Sequence, residues 1–417
     1  MTPSNSTVSG TQEPKLPRWD LILLPLLSLV TIFALATSME LAASRLFPVS
    51  QSGLEKCFAK NDPVGNARAI PNTVCSERIV ESRFLAEYRF NNGGFRANTE
   101  LTQKRPGTYR IVMIGSSMAM GLFVPREMTF AAMLPAELSR QTGRKVEIYN
   151  EATGGRFRGG SFPVPDSAQH FGEALSADPD MILWIVTPAD IENVSLDGPS
   201  VVPQAAGPDV PLPATPTRKA TSWSKLTAAV ADGSLGPKLR SRWEQTAASS
   251  VLKHLLYGSE SQDQYIRSYL KNEDDAGFLK TEPSEKWQRR LAAFQTFAAD
   301  FERQAKDAGV PLVAVLVPNR AQAAMISMGE WPAGYDPYKL DDELRGIIQS
   351  HGGTYIDILP DFRSIPDPER HYFPVDGHPD AGGHAMISSL LAKELTSGAV
   401  PALTAATPPQ VASTKGR

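Results

Sequence analysis

Apolar positions are distributed along this chain in several distinct patterns, and each predicts a different kind of element. From Leu21 to Met39 the stretch LILLPLLSLVTIFALATSM carries no charge. At 1.5 Å rise per residue, it nearly matches the hydrocarbon thickness of a bilayer. Asp20 and Glu40 bracket it, Trp19 stands where an interfacial aromatic would, and Lys15 and Arg18 precede it. This predicts a single-pass anchor over 19–40 with residues 1–18 as a cytoplasmic tail. A cleaved signal peptide is the competing reading, because Ala34-Leu35-Ala36 has the small-residue pattern of a cleavage site.

A second pattern consists of short strand-length stretches: 109–114, 145–149 and 354–358, in which charged residues intervene, and the unbroken apolar runs 181–186 (MILWIV) and 311–317 (PLVAVLV). Runs of this length without alternation suit strands buried on both faces. Between them, apolar residues recur at helical spacing over 129–141, 284–308, 339–350 and 382–395. Strands alternating with helices predict an α/β three-layer sandwich around a central, mostly parallel five-stranded sheet. The sheet is contributed by two parts of the chain, 106–199 and 284–396. Residues 200–283 interrupt it with a Pro-rich stretch and then helical spacing over 223–231 and 235–270, which predicts a helical insertion. Residues 41–105 have little periodicity and are expected to form a lead-in packed on the main domain. The tail 397–417 has a composition that predicts disorder.

Composition narrows the function classes. With 41% hydrophobic and 21% charged residues the chain can bury a normal core, and a net charge of −3 leaves no basic footprint for nucleic acid. The two cysteines, Cys57 and Cys75, both follow the apolar segment and have no nearby histidine pair. Outside the cytoplasm a disulfide is the natural reading, closing the irregular loop between Asn61 and Asn72. His170, His254 and His351 show no paired ligand spacing, so neither a metal nor another cofactor is implied. His384, one turn into the last helix, and His371 are expected to be structural.

Two short sites carry the chemistry. The first strand runs into Gly115-Ser116-Ser117, and Asp376-Gly377-His378-Pro379 lies near the end of the globular region. Together they hold a hydroxyl nucleophile, an imidazole to take its proton and a carboxylate to orient the ring. Parallel sheets bind ligands at the carboxyl ends of their strands. Ser117, Gly155, Asp190 and Asn319 all fall at such ends. Position 119 is Ala, so no Gly-x-Ser-x-Gly elbow is present.

These residues resemble the SGNH, or GDSL-like, hydrolase family over Tyr109 to about Leu395, the insertion excepted. Gly115-Ser116-Ser117-Met118-Ala119-Met120-Gly121 is similar to its first block, with Ser116 in place of the usual Asp. Asn150-Glu151-Ala152-Thr153-Gly154-Gly155 is similar to the second, and Asp376-Gly377-His378 to the last, in the shorter spacing of some polysaccharide-acetylation members. The resemblance implies a flavodoxin-like fold with Ser117 as nucleophile, His378 as base, Asp376 as its partner, and the amides of Ser117 and Gly155 as the oxyanion hole. Ala189 stands where the family carries an oxyanion asparagine. Asn193, Asn150 or Thr187 can supply that donor. Substrate contacts are expected from Asn150, Arg156, Asp190, Asn193 and Asn319, although the loop holding Arg156 and Arg158 reads more readily as a solvated one and Asn319 equally as a turn residue. The implied activity is that of a serine esterase or acyl transferase acting on an acylated carbohydrate, in particular an O-acetyl ester, in the periplasm or extracellular space. A non-catalytic polysaccharide-binding or assembly subunit is the alternative.

Overall fold

The computed structural model describes residues 19–47, 53–58, 69–82, 84–97, 99–152, 171–194, 243, 246–272 and 275–404. Helix α1 (Asp20–Leu46) comes first, followed by a hairpin of β1 (Val74–Glu77) and β2 (Ala86–Arg89). Strands and helices then alternate: β3 (Thr108–Gly115), α2 (Ser117–Met120), α3 (Phe130–Thr142), β4 (Lys145–Asn150), β5 (Met181–Val186) and α4 (Pro188–Glu192). Two helices follow, α5 (Ala247–Ser259) and α6 (Gln262–Tyr269). The last part comprises α7 (Glu285–Ala308), β6 (Leu312–Leu316), α8 (Arg320–Met328), α9 (Lys339–Ser350), β7 (Thr354–Tyr355) and α10 (Ala381–Thr396).

The central sheet has five strands in the order β4-β3-β5-β6-β7, every pairing parallel. Counted within the sheet this is the flavodoxin-like order, whose switch point lies where neighbours of β3 run off in both directions. Helices cover the sheet, and the strands show it: every residue of β5 and β6 is buried. The α7 helix explains one layer. Ser284 caps its start by accepting from the Trp287 amide, Gly309 ends it in the left-handed region, and Trp287, Leu291, Phe294, Ala298, Phe301 and Ala305 form its buried stripe. Trp184 of β5 lies between the Phe294 and Phe301 rings, 5.1 and 4.8 Å away. Burying each such ring contributes roughly 1.5–3 kcal/mol. In a second group α3 packs with α10, and α3 also lies against β4.

Several elements differ from expectation. Strand β7 stops at Tyr355 and only the Ile356 amide, bonded to the Ala314 carbonyl at 3.0 Å, continues the ladder towards 358. The described part of the insertion breaks into α5 and α6 because Ser261 caps a new helix through the Gln264 amide. The stretch 223–231 lies outside the described residues. Helix α8 leaves no periodic signal in the sequence, because nearly all its residues are buried and it lacks the polar face that reveals an amphipathic helix. Residues 397–404 are not a loose tail, since Val400 and Leu403 are buried and Arg144 donates to the Ala402 carbonyl at 2.9 Å. The cysteines form the Cys57–Cys75 disulfide, with a Cα separation of 6.0 Å.

Candidate active site

The turn after β3 admits only glycine at its pivot. Gly115 has φ +151°, and a Cβ there would stand 2.6 Å from the Ile185 carbonyl oxygen of the neighbouring strand. The chain therefore turns sharply, and Ser117 opens α2 at the carboxyl end of the sheet. Far along the sequence, Gly377 at φ +86° makes the tight turn that brings Asp376 and His378 onto one short loop.

The three side chains meet. The His378 Nε2 atom lies 2.7 Å from the Ser117 Oγ, and its Nδ1 lies 2.5 Å from the Asp376 Oδ1. The same carboxylate oxygen accepts the His378 backbone amide at 3.3 Å. A carboxylate only accepts, so Nδ1 carries the proton and Nε2 is left to accept from the serine hydroxyl. The imidazole also meets the Phe123 ring edge to face at 5.7 Å. Phe123 sits at φ +64°, a conformation costing about 1–3 kcal/mol for a bulky residue. Its amide donates to the Tyr88 hydroxyl at 2.8 Å and its carbonyl accepts from the Ser82 hydroxyl at 3.1 Å, which hold it there.

Lead-in residues support the site from outside the sheet. The Glu81 carboxylate accepts the amides of Val375 and Asp376 at 2.7 and 2.9 Å, one oxygen for each. Burial raises this carboxyl above the ordinary glutamate range, against the opposing effect of those two amides. Buried Arg96 donates to the carbonyls of Met120, Gly121 and Val124, the first two lying where α2 ends, and its guanidinium lies over the Tyr88 ring. The last carbonyls of a helix lack intrahelical partners, and Arg96 supplies one to the Met120 carbonyl. Burial brings Arg96 down to about 10. Nothing local in the sequence marks Glu81: Val375 and Asp376 lie 294 and 295 positions away, and the His254 Nδ1 atom, 3.6 Å from its Oε1, belongs to α5.

The serine opens into a cavity of about 540 Å³. On the sheet side Ser117, Thr187, Ala189, Asn319 and the Asp376–His378 turn line it, and on the insertion side Tyr257, Glu260, Tyr265, Tyr269, Asn272 and Asp275 do. Burial raises the hydroxyls of Tyr265 and Tyr269 well above the ordinary tyrosine range. Asn319 caps α8 through the Gln322 amide at 2.9 Å and donates from Nδ2 to the Tyr269 hydroxyl at 3.2 Å. Arg320 stacks on Tyr265 at 3.9 Å and donates to the carbonyls of Pro374 and Glu369 at 2.7 and 3.3 Å. It thereby holds the segment leading into the Asp376 turn.

Of the residues expected at the site, Ser117, Asp376, His378 and Asn319 are together at the cavity. Asn150 is not: it is buried, donates to the Ala119 carbonyl at 2.7 Å and accepts the Ala152 amide at 2.9 Å, so it braces α2 instead of facing substrate. Asp190 is likewise a brace. Its carboxylate accepts the amide and hydroxyl of Thr187 at 2.7 and 2.8 Å, and the Ser116 side chain as well. Burial raises it to about 6, with these hydrogen bonds acting in the opposite direction. Thr187 lines the cavity, but its hydroxyl proton is committed to Asp190, and Asn193 is exposed but absent from the cavity's described lining. Gly155 and Arg156 lie outside the described residues. His384 is buried, receives the Phe130 amide at 3.3 Å, and is driven down to about 3 by burial. Among the described residues no cluster of three or more His, Cys, Asp or Glu is placed to hold a metal ion.

No family model and no curated protein matches this chain. Among solved structures, one titled "Crystal Structure of TesA" is similar over 69% of this chain and 98% of that one, at 8% identity and a TM-score of 0.34. A likeness of that size leaves the fold to rest on the strand order itself.

Proposed function

We propose that this chain is a membrane-anchored serine esterase or acyl transferase of SGNH type that works outside the cytoplasm on an O-acyl, chiefly O-acetyl, carbohydrate. The observation that carries the reading is the unbroken Ser117–His378–Asp376 hydrogen-bond relay opening into a cavity at the carboxyl ends of a parallel sheet. Tyrosine rings beside amide and carboxylate side chains suit a sugar, whose faces are apolar and whose rim is hydroxylated. The helix Ile22–Leu46, with a mean hydropathy of 2.2, supports the anchor, and the disulfide suits an oxidising compartment.

In this reading the Ser117 Oγ attacks the ester carbonyl while His378 Nε2 takes its proton, and Asp376 offsets the charge on the imidazolium. Collapse of the tetrahedral adduct breaks the bond to the sugar oxygen, which leaves with the proton from Nε2. The acyl-serine is then attacked by water, or by another sugar hydroxyl, with the same proton transfers in the same order. The amides of Ser117 and Gly155 would hold the oxyanion. Each such donor is typically worth about 100-fold in rate.

The test is labelling of the detergent-solubilised full chain by a fluorophosphonate probe, alongside hydrolysis of p-nitrophenyl acetate. Labelling that disappears in Ser117→Ala is expected; a chain that neither labels nor hydrolyses is a binding or assembly subunit, the second reading that Ala189 at the cavity wall favours. Mass spectrometry of added oligosaccharide separates transfer, which adds 2-carbon acyl groups to it, from hydrolysis, which does not.

A further inference from the structure

Helix α5 carries an apolar stripe that the described residues cover over only part of its length. Ala248 and Val251 are buried against Ala43 at the C-terminal end of α1. The Glu40 carboxylate fastens this contact by accepting the amides of Ala247 and Ala248 at 3.0 and 2.8 Å. Residues three and four positions apart share a helix face. The stripe therefore continues through Leu252, Leu255 and Leu256, and these are 42%, 56% and 55% exposed.

Its location decides what covers it. Glu40 ends the uncharged run of α1, and a charged residue marks the level at which a spanning helix leaves the hydrocarbon. The start of α5 is hydrogen-bonded to that residue and so lies at the same level. The stripe is thus continuous with the α1 contact and begins at the boundary between lipid and water. We propose that Leu252, Leu255 and Leu256 insert into the interfacial region of the bilayer, making α5 a membrane-surface helix. The inference rests on reading α1 as an uncleaved anchor. Tyr257 and Glu260, at the far end of α5, line the cavity. One cavity wall is then held against the membrane, and the substrate it serves is one presented at that surface.

The experiment uses the full chain with single cysteines introduced by Leu255→Cys, Leu256→Cys, Leu29→Cys and Lys306→Cys, each bearing an environment-sensitive fluorophore. Leu29 is an exposed residue of α1 and Lys306 an exposed residue of α7. The proteins are placed in phosphatidylcholine vesicles without spin label, with lipid spin-labelled near the top of the acyl chain to read positions 255, 256 and 306, and with lipid spin-labelled near the chain end to read position 29. Labels at 255 and 256 are expected to shift to the blue and lose most of their emission to the spin label, while the label at 306 keeps its emission. Quenching at 29 without quenching at 255 and 256 overturns the proposal and leaves the anchor standing. Shielding of 255 from aqueous iodide without lipid quenching assigns the face to a protein partner and overturns it too, as does equal quenching at 306. No quenching at 29, or its loss with a cleaved peptide, removes both the anchor and the proposal.

Discussion

Replacing Glu81 by Gln isolates the support of the Asp376 turn from the reacting groups themselves. The carboxylate accepts two amides at 2.7 and 2.9 Å; a carboxamide keeps one acceptor and turns a donor towards the other amide. The Val375 amide is close to solvent and water can replace its partner. The Asp376 amide is partly buried, so its loss is the larger. A hydrogen bond to a charged group contributes about 1.5–3 kcal/mol, and the burial that raises the Glu81 carboxyl offsets part of it. A net loss near 1.5 kcal/mol lowers the ratio of molecules with Asp376 and His378 in register to those without by roughly tenfold. The assay is the second-order rate of fluorophosphonate labelling at Ser117, read beside the thermal midpoint. Labelling slower by up to about tenfold, beyond what a small fall in the midpoint accounts for, is expected, and Glu81→Asp should recover little, because the shorter side chain pulls both oxygens away. A Glu81→Gln protein that labels within twofold of the parent, or whose slower labelling matches its unfolded fraction, refutes the reasoning.

Ala189→Asn places an amide donor in a cavity wall that has only a methyl there, and is expected to raise p-nitrophenyl acetate turnover by roughly tenfold; an unchanged or lower rate would show that the oxyanion is already served from elsewhere. Gly115→Ala meets the Ile185 carbonyl oxygen at 2.6 Å from a φ of +151°, and a strain of at least about 1–3 kcal/mol should appear as a lowered thermal midpoint or a failure to fold. His384 binds a proton near 6.5 when unfolded and only near 3 when folded. Its stabilising contribution is therefore complete above pH 6.5 and is lost as pH falls towards 3, at up to about 1.4 kcal/mol per pH unit. The thermal midpoint should fall across that window, and His384→Gln should flatten the fall.

What was legible in the sequence was whatever had a local cause. MILWIV could only be a strand buried on both faces, and the spacing from Trp287 to Ala305 could only be an amphipathic helix. Ser117, Asp376 and His378 were visible because they sit in two short turns, one at Gly115 and one at Gly377. Helix α8 escaped because burial all round erases periodicity. Asn150 and Asp190 were found as polar groups at strand ends, yet their orientation depends on the Ala119 carbonyl and the Thr187 hydroxyl, partners that only the fold supplies. Glu81, Tyr88 and Arg96 acquire their roles from contacts that no window along the chain contains.

The lead-in hairpin has a practical consequence. A fragment trimmed to the recognisable motifs, beginning at residue 106, would keep the nucleophile, the imidazole and the carboxylate. It would leave behind Glu81, Ser82, Tyr88 and Arg96, which grip the two loops that present those groups. Silence from so shortened a protein would be mistaken for inert chemistry when only its scaffolding had been cut away.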